Sequence, residues 1–175
     1  LWCQNNQLAN LDVNNNTALI QLDCGNNLLT TFDVSNNTAL TRFWCYGNQL
    51  TTLDVSNNSA LTWFNSSGNQ LTSLDVRNGN NVNMIGANPW HLNFTNNPNL
   101  YCIDVDDPVW SAANWTVGNG NIDAWASFSN NFATVIYGCT DSTAINYNPL
   151  ATIDDSSCVY CNFAVIFTTT DVSCY

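Results

Sequence analysis

Apolar positions return along the first hundred residues at a step of 21. Leu19, Leu40 and Leu61 keep that step, as do Asn27, Asn48 and Asn69. The triplets Leu11-Asp12-Val13, Phe32-Asp33-Val34, Leu53-Asp54-Val55 and Leu74-Asp75-Val76 keep it too. Cys3, Cys24 and Cys45 form a fourth series, whose register continues to Ser66 and Ala87. Each repeat holds two copies of one pattern, Leu40-x-x-Phe43-x-Cys45-x-x-Asn48 followed by Leu50-x-x-Leu53-x-Val55-x-x-Asn58. The last two apolar residues of each copy alternate with polar ones, which is the period of a strand. A coil this short cannot bury its apolar face alone, so successive coils must stack. Each inward position then becomes a ladder, and strands of adjacent coils pair in parallel about 4.8 Å apart. The turn Asn is expected to be buried, its amide bonded to the backbone of the neighbouring coil. The Cys series is read as packing, with the thiol acting as a small hydrophobe. Its replacement by Ser66 and Ala87 argues against a disulfide or a metal there.

This nested pattern resembles the leucine-rich repeat family. "LDVSNNTAL" with "LxCxxNQLT" is similar to the bacterial IRREKO class and to repeats of flavobacterial (Bacteroidetes) surface and secreted proteins. The resemblance implies an all-β or β-rich solenoid, a right-handed stack of coils over residues 1–105. Leucine-rich repeats are generic recognition scaffolds, so it implies a fold more than a ligand.

Beyond Asn69 the pattern loosens. Val82-x-x-Ile85-x-Ala87 keeps the register, with Trp90 where the turn Asn should stand. Residues 106–137 are expected to form the C-terminal cap and a strand-like linker, with Trp110, Trp115, Trp125 and Phe128 covering the last coil. The acids Asp104, Asp106 and Asp107 read as turn formers within that cap. "GCTDSTAINYNPLATIDDSSC" then resembles a Cys-bracketed module scattered through large exported Bacteroidetes proteins, here residues 138–160. So short a segment has almost no core and calls for a staple. Cys139–Cys158 is the expected bridge, with Cys161 the competing partner. Asp141, Asn146, Asn148, Asp154 and Asp155 are hard oxygen ligands on one short loop and candidate Ca²⁺ ligands. The competing reading makes them Asx-turn residues bonded to their own backbone. Asp141-Ser142-Thr143 is similar to a Bacteroidetes O-glycosylation motif, with Ser142 the acceptor. Residues 161–175 resemble the start of a SprB-type gliding-adhesin repeat, as a following domain.

Charge narrows the partners. The 13 acidic residues are all Asp, the only basic side chains are Arg42 and Arg77, and the net charge is −11. This argues against nucleic acid and anionic membranes. There is one His, His91, and no phosphate loop, nucleophile elbow or HExxH. An enzyme is not expected, and no cofactor other than Ca²⁺ is implied. The Asp12, Asp33, Asp54, Asp75 row stacks like charges and requires compensating donors.

The outward positions of the "LDV" half are monotonous, whereas those of the "xCx" half vary. Their rows are Gln21, Arg42, Trp63, Met84; then Trp2, Asp23, Trp44, Asn65; then Gln4, Gly25, Tyr46, Ser67. Arg42, Trp44, Tyr46 and Trp63 make an outward aromatic patch, continued by Trp2, Trp90 and His91. Such a patch suits glycan or protein recognition. Aromatics also stabilise strands by stacking across them. The expected function is non-enzymatic adhesion or recognition, binding a glycan or a surface protein, by a module of a large exported cell-surface protein. The resemblance implies type IX secretion and a link to gliding motility. The alternatives are a structural spacer packed against other domains of the same chain, and an accessory domain of a secreted enzyme.

Overall fold

The computed structural model describes residues 1–84, 90–130, 137–149, 151, 153–154 and 156–160. The chain divides into two units, Leu1–Phe132 and Ala133–Tyr175. The first is the expected β-rich solenoid of stacked coils. Its "xCx" halves give β1 (Gln21–Asp23), β2 (Arg42–Trp44), β4 (Trp63–Asn65) and β6 (Leu92–Asn93), a parallel sheet in that order. A bridge from Trp2 to Asp23 adds a fifth rung at its edge. The "LDV" halves give β3 (Thr52–Asp54), β5 (Ser73–Asp75), β7 (Cys102–Asp104) and β8 (Ser127–Ser129), a second parallel sheet. The register is one residue per rung: Leu22, Phe43, Phe64 and Leu92 align in the first sheet, and Leu53, Leu74, Ile103 and Phe128 in the second.

The turn asparagines are buried, as expected, and each binds two coils. Asn48 Nδ2 donates to Cys24 O and Cys45 O, both at 3.1 Å, while its Oδ1 accepts from Leu29 N at 3.0 Å. Asn27, Asn69 and Asn97 repeat this arrangement. Asn37 and Asn58 form the matching ladder of the second half. Cys24 and Cys45 are fully buried free thiols, and the Cys24 S–H points at Trp44 O (3.5 Å). Burial pushes both thiols above their ordinary pKa. One structural series has no hydrophobic signature. Asn5, Asn26, Gly47, Gly68 and Asn96 occupy the left-handed region, φ 51° to 65°, at the same corner of successive coils. Gly and Asn are the residues that tolerate it.

Past Asn69 the ladder differs from the simple register. The rung after Phe64 is Leu92, and Asn97, not a residue near Trp90, receives the Leu71 N–H (3.1 Å). The chain therefore spends 28 residues between equivalent positions, from 64 to 92, instead of 21. The Cys-ladder position after Ser66 goes to buried Phe94, which stacks edge-on to Phe64 with centroids 5.3 Å apart. Ile85 and Ala87 lie outside the described residues. Met84, expected outward, is fully buried. Its carbonyl accepts the indole N–H of Trp115 at 3.1 Å.

The cap is built on α1 (Pro108–Asn114). Asp107 caps it by accepting from Val109 N and Trp110 N, and Pro108 occupies its first turn. Trp115 is fully buried and meets Phe94, Trp110 and Phe128 edge-on at 5.8–6.0 Å. Trp125, expected among them, is 48% exposed. Asp123 accepts from Asn96 N and Asn97 N, and Asp106 from Gly79 N and Asn81 N, so the open edge finds acceptors for its amides. Asp104 does not belong to the cap. It extends the Asp row of the second sheet as the partner of Asp75.

The second unit contains β9 (Tyr137–Gly138) paired in parallel with β10 (Ile153–Asp154). The Cys139–Cys158 disulfide is present, with a Cα separation of 4.7 Å. Cys161 and Cys174 lie outside the described residues.

Candidate functional site

The position just after the central apolar residue of each strand has a scaffold role. Asp12, Asp33, Asp54 and Asp75 in the "LDV" half, and Asp23, Asn65 and Asn93 in the other, all place Oδ1 on the backbone N–H two residues ahead, at 2.8–3.0 Å. These Asx turns supply the backbone donors that the acidic row requires, and at Asp33 the Ser35 side chain adds to them. Asp75 is further paired with Arg77, whose Nε reaches Oδ1 at 2.9 Å. Asp104 keeps the residue type but not the bond, because Asn81 Oδ1 takes the Asp106 N–H at 2.8 Å. Its Oδ1 is buried without a partner. Burial, with the nearby charge of Asp75, raises its pKa against the opposing pull of Arg77. Along this series only Trp2 and Trp44 carry side chains that cannot accept a hydrogen bond.

The aromatic side chains do converge. Trp2 stacks on Trp44 across the intervening Asp23, centroids 6.0 Å apart. Trp44 meets Trp63 edge-on at 5.9 Å, and its indole N–H donates to Trp90 O at 3.1 Å. The pairing of Phe64 with Leu92 brings His91, not Met84, beside Trp63. Their rings stack at 3.9 Å. The Arg42 guanidinium lies 4.1 Å from the Trp63 ring, approaching from β2 while His91 approaches from β6. Both faces of Trp63 are therefore occupied. Trp2 and Trp90 remain 63% and 70% exposed.

Tyr46 lies flat over Gly25. A Cβ on Gly25 would come within 2.4 Å of the Tyr46 ring, so that rung has room for one side chain only. The pairing of a glycine with an aromatic one repeat later is visible in the sequence, although rows of residue types do not reveal it as contact. Asp23, beneath Trp2 and Trp44, is 8% exposed. Burial raises its pKa, opposed by the bond from Gly25 N.

In the second unit the loop oxygens are engaged. Asp141 Oδ1 accepts from Thr143 N (2.8 Å) and its hydroxyl (2.7 Å), and Oδ2 accepts from Tyr160 (2.8 Å). Asn146 donates to Ser157 O and accepts from Val159 N. Asp154 accepts from Ser156 N. Asn148 packs against Gly138. Asp141 and Asp154 thus make Asx turns, whereas Asn146 ties the loop to the backbone of residues 157 and 159. Asp155 lies outside the described residues, and Ser142 is exposed. Among the described residues no three His, Cys, Asp or Glu side chains gather as a metal site, and no helix is long and apolar enough to cross a membrane.

No family model and no curated protein matches the chain. Among solved structures it is similar to the functional domain of InlJ from Listeria monocytogenes, described as including a cysteine ladder. The identity is 34% and the TM-score 0.46, over 60% of this chain and 24% of that one. The chain thus spans about a quarter of that protein's length.

Proposed function

We propose that this chain is a non-catalytic recognition module of an exported cell-surface protein. It binds a glycan or protein through the face formed by Trp2, Trp44, Tyr46 and Trp90, with Arg42, Trp63 and His91 as the packed support. The carrying observation is the identity of Trp2 and Trp44. They stand where the scaffold otherwise places an Asx turn, so these coils forgo a capping bond for a large, partly exposed aromatic surface. The Cys139–Cys158 bridge supports an oxidising, extracellular setting. Export by the type IX route and a role in gliding adhesion belong to the same proposal. They rest on resemblance of the repeat and of the Cys-bracketed module.

The packing of the patch onto itself favours a second reading, a spacer segment whose aromatics only brace the sheet. The two readings separate in one experiment. The double variant Trp44→Ala, Tyr46→Ala is compared with the wild type on a glycan array and in whole-cell adhesion. Circular dichroism and melting temperature serve as fold controls. The recognition reading expects lost binding with an intact fold. Unchanged binding supports the spacer.

A further inference from the structure

Asp23 has the least compensated carboxylate of the aromatic face. It is more than nine-tenths buried, and Gly25 N–H is the single hydrogen bond to it among the described residues. Among the described residues no cation is paired with it. Arg42, on the adjoining strand, turns its guanidinium onto Trp63 instead, and the ion pair found among the described residues is Arg77–Asp75, on the other sheet. A buried carboxylate without a counter-charge is costly to hold. The surroundings are chemically selective. The Trp2 and Trp44 indoles meet above Asp23, and Tyr46 lies on the Gly25 floor next to it. Trp2 is mostly exposed, so its indole is reached directly from solvent. A divalent metal wants several hard oxygens, and this cluster offers one carboxylate. Electron-rich ring faces around a single negative charge suit a large, weakly hydrated organic cation. The chain's net charge of −11 draws such a ligand toward the face.

We propose that Trp2, Trp44 and Tyr46, grouped around Asp23, form a receptor for a weakly hydrated organic cation, a quaternary ammonium or guanidinium group carried by the ligand. This rests on the recognition reading above and names the chemistry of its central contact. The scaffold itself supplies a mild variant. Asn65 and Asn93 make the same Asx bond at the equivalent position of β4 and β6, so Asp23→Asn keeps the turn and removes only the charge.

The test is a titration of the whole chain, followed by tryptophan fluorescence and calorimetry. The probes are choline, arginine amide and 3,3-dimethylbutan-1-ol, the neutral isostere of choline. Choline against arginine amide distinguishes a free quaternary ammonium compound from an arginine side chain. At least one cation is expected to bind, and the neutral alcohol about tenfold more weakly or not at all. Asp23→Asn is expected to weaken cation binding about tenfold, and Trp44→Ala by about threefold or more. Asp104→Asn, on the opposite sheet, should leave it unchanged. The proposal is overturned if neither cation binds, if the neutral alcohol binds as well as choline, or if Asp23→Asn binds with wild-type affinity. If choline and arginine amide fail while Trp44→Ala, Tyr46→Ala still abolishes adhesion, recognition by the face stands and only its cationic ligand is lost.

Discussion

Asn48 shows how much one side chain can carry when it is shared between coils. Its amide serves three carbonyls, those of Cys24, Cys45 and Tyr46, and one backbone N–H. Asn48→Ala leaves those groups unpaired and is expected to cost about 3–5 kcal/mol in denaturant unfolding. Asn36→Ala, at an exposed turn position of the preceding repeat, should stay within about 0.5 kcal/mol. A result in which the two cost the same would show that the Asn ladder does not hold the coils. Asp104 works in the opposite sense. Its carboxylate is buried without a partner on Oδ1, and its folded pKa is raised. An acid whose folded pKa lies above the unfolded value destabilises the fold while ionised. That penalty is full above the raised folded pKa. It fades as pH falls through it toward the ordinary value of 3.8. Asp104→Asn should therefore raise the melting temperature at pH 7, and the gain should shrink toward pH 3. Asp75 has the reverse sign. Arg77 holds its carboxyl below the ordinary range despite burial, so its contribution is present at neutral pH and is lost on acidification. Abolishing that pair with Arg77→Ala should lower stability at pH 7 and matter less below pH 3.

At the level of the coil, the corner matters as much as the strand. Gly47 sits at φ 61°, and a Cβ there would lie 2.2 Å from Asn26 Oδ1. Gly47→Ala is expected to cost about 2 kcal/mol or more by chemical denaturation; an unchanged midpoint would mean the corner can relax. The repeat was legible because its ladders are single residue types at fixed spacing: Leu40 and Leu61, Asn48 and Asn69, Cys24 and Cys45. The corner series was harder to see, since Asn26 and Gly47 are alike only in tolerating the left-handed region. The register of the last full coil was misleading for a physical reason. Val82, Ile85 and Ala87 fit the apolar period, but hydrogen bonding to the ladder Asn decides which residue closes the rung, and Asn97 meets that condition. Met84 went inward, and His91 took its expected place beside Trp63. The patch itself was legible from its unforced residue types, Trp44, Tyr46 and Trp63. The occupation of both faces of Trp63, and the buried Asp23 under the indoles, depend on side-chain directions that rows of letters do not specify.

At the scale of the molecule, the solenoid ends in a column of rings. Phe43, Phe64, Phe94 and Trp115 follow one another at 5.3–5.8 Å, so the cap is continuous with the core it closes. Trp115→Ala should cost about 3–5 kcal/mol and expose the final coil to proteolysis, read by limited digestion. Such a stack also responds to tension in a particular way. Every strand runs across the stacking axis and pairs in parallel with the next coil. A pull on the two ends of the solenoid is therefore expected to open rungs one after another instead of shearing a whole sheet at once. Each 21-residue coil that peels away releases about 70 Å of extended chain. The result is a yielding element that is expected to lengthen stepwise under load, with the shared asparagines setting the force of each step.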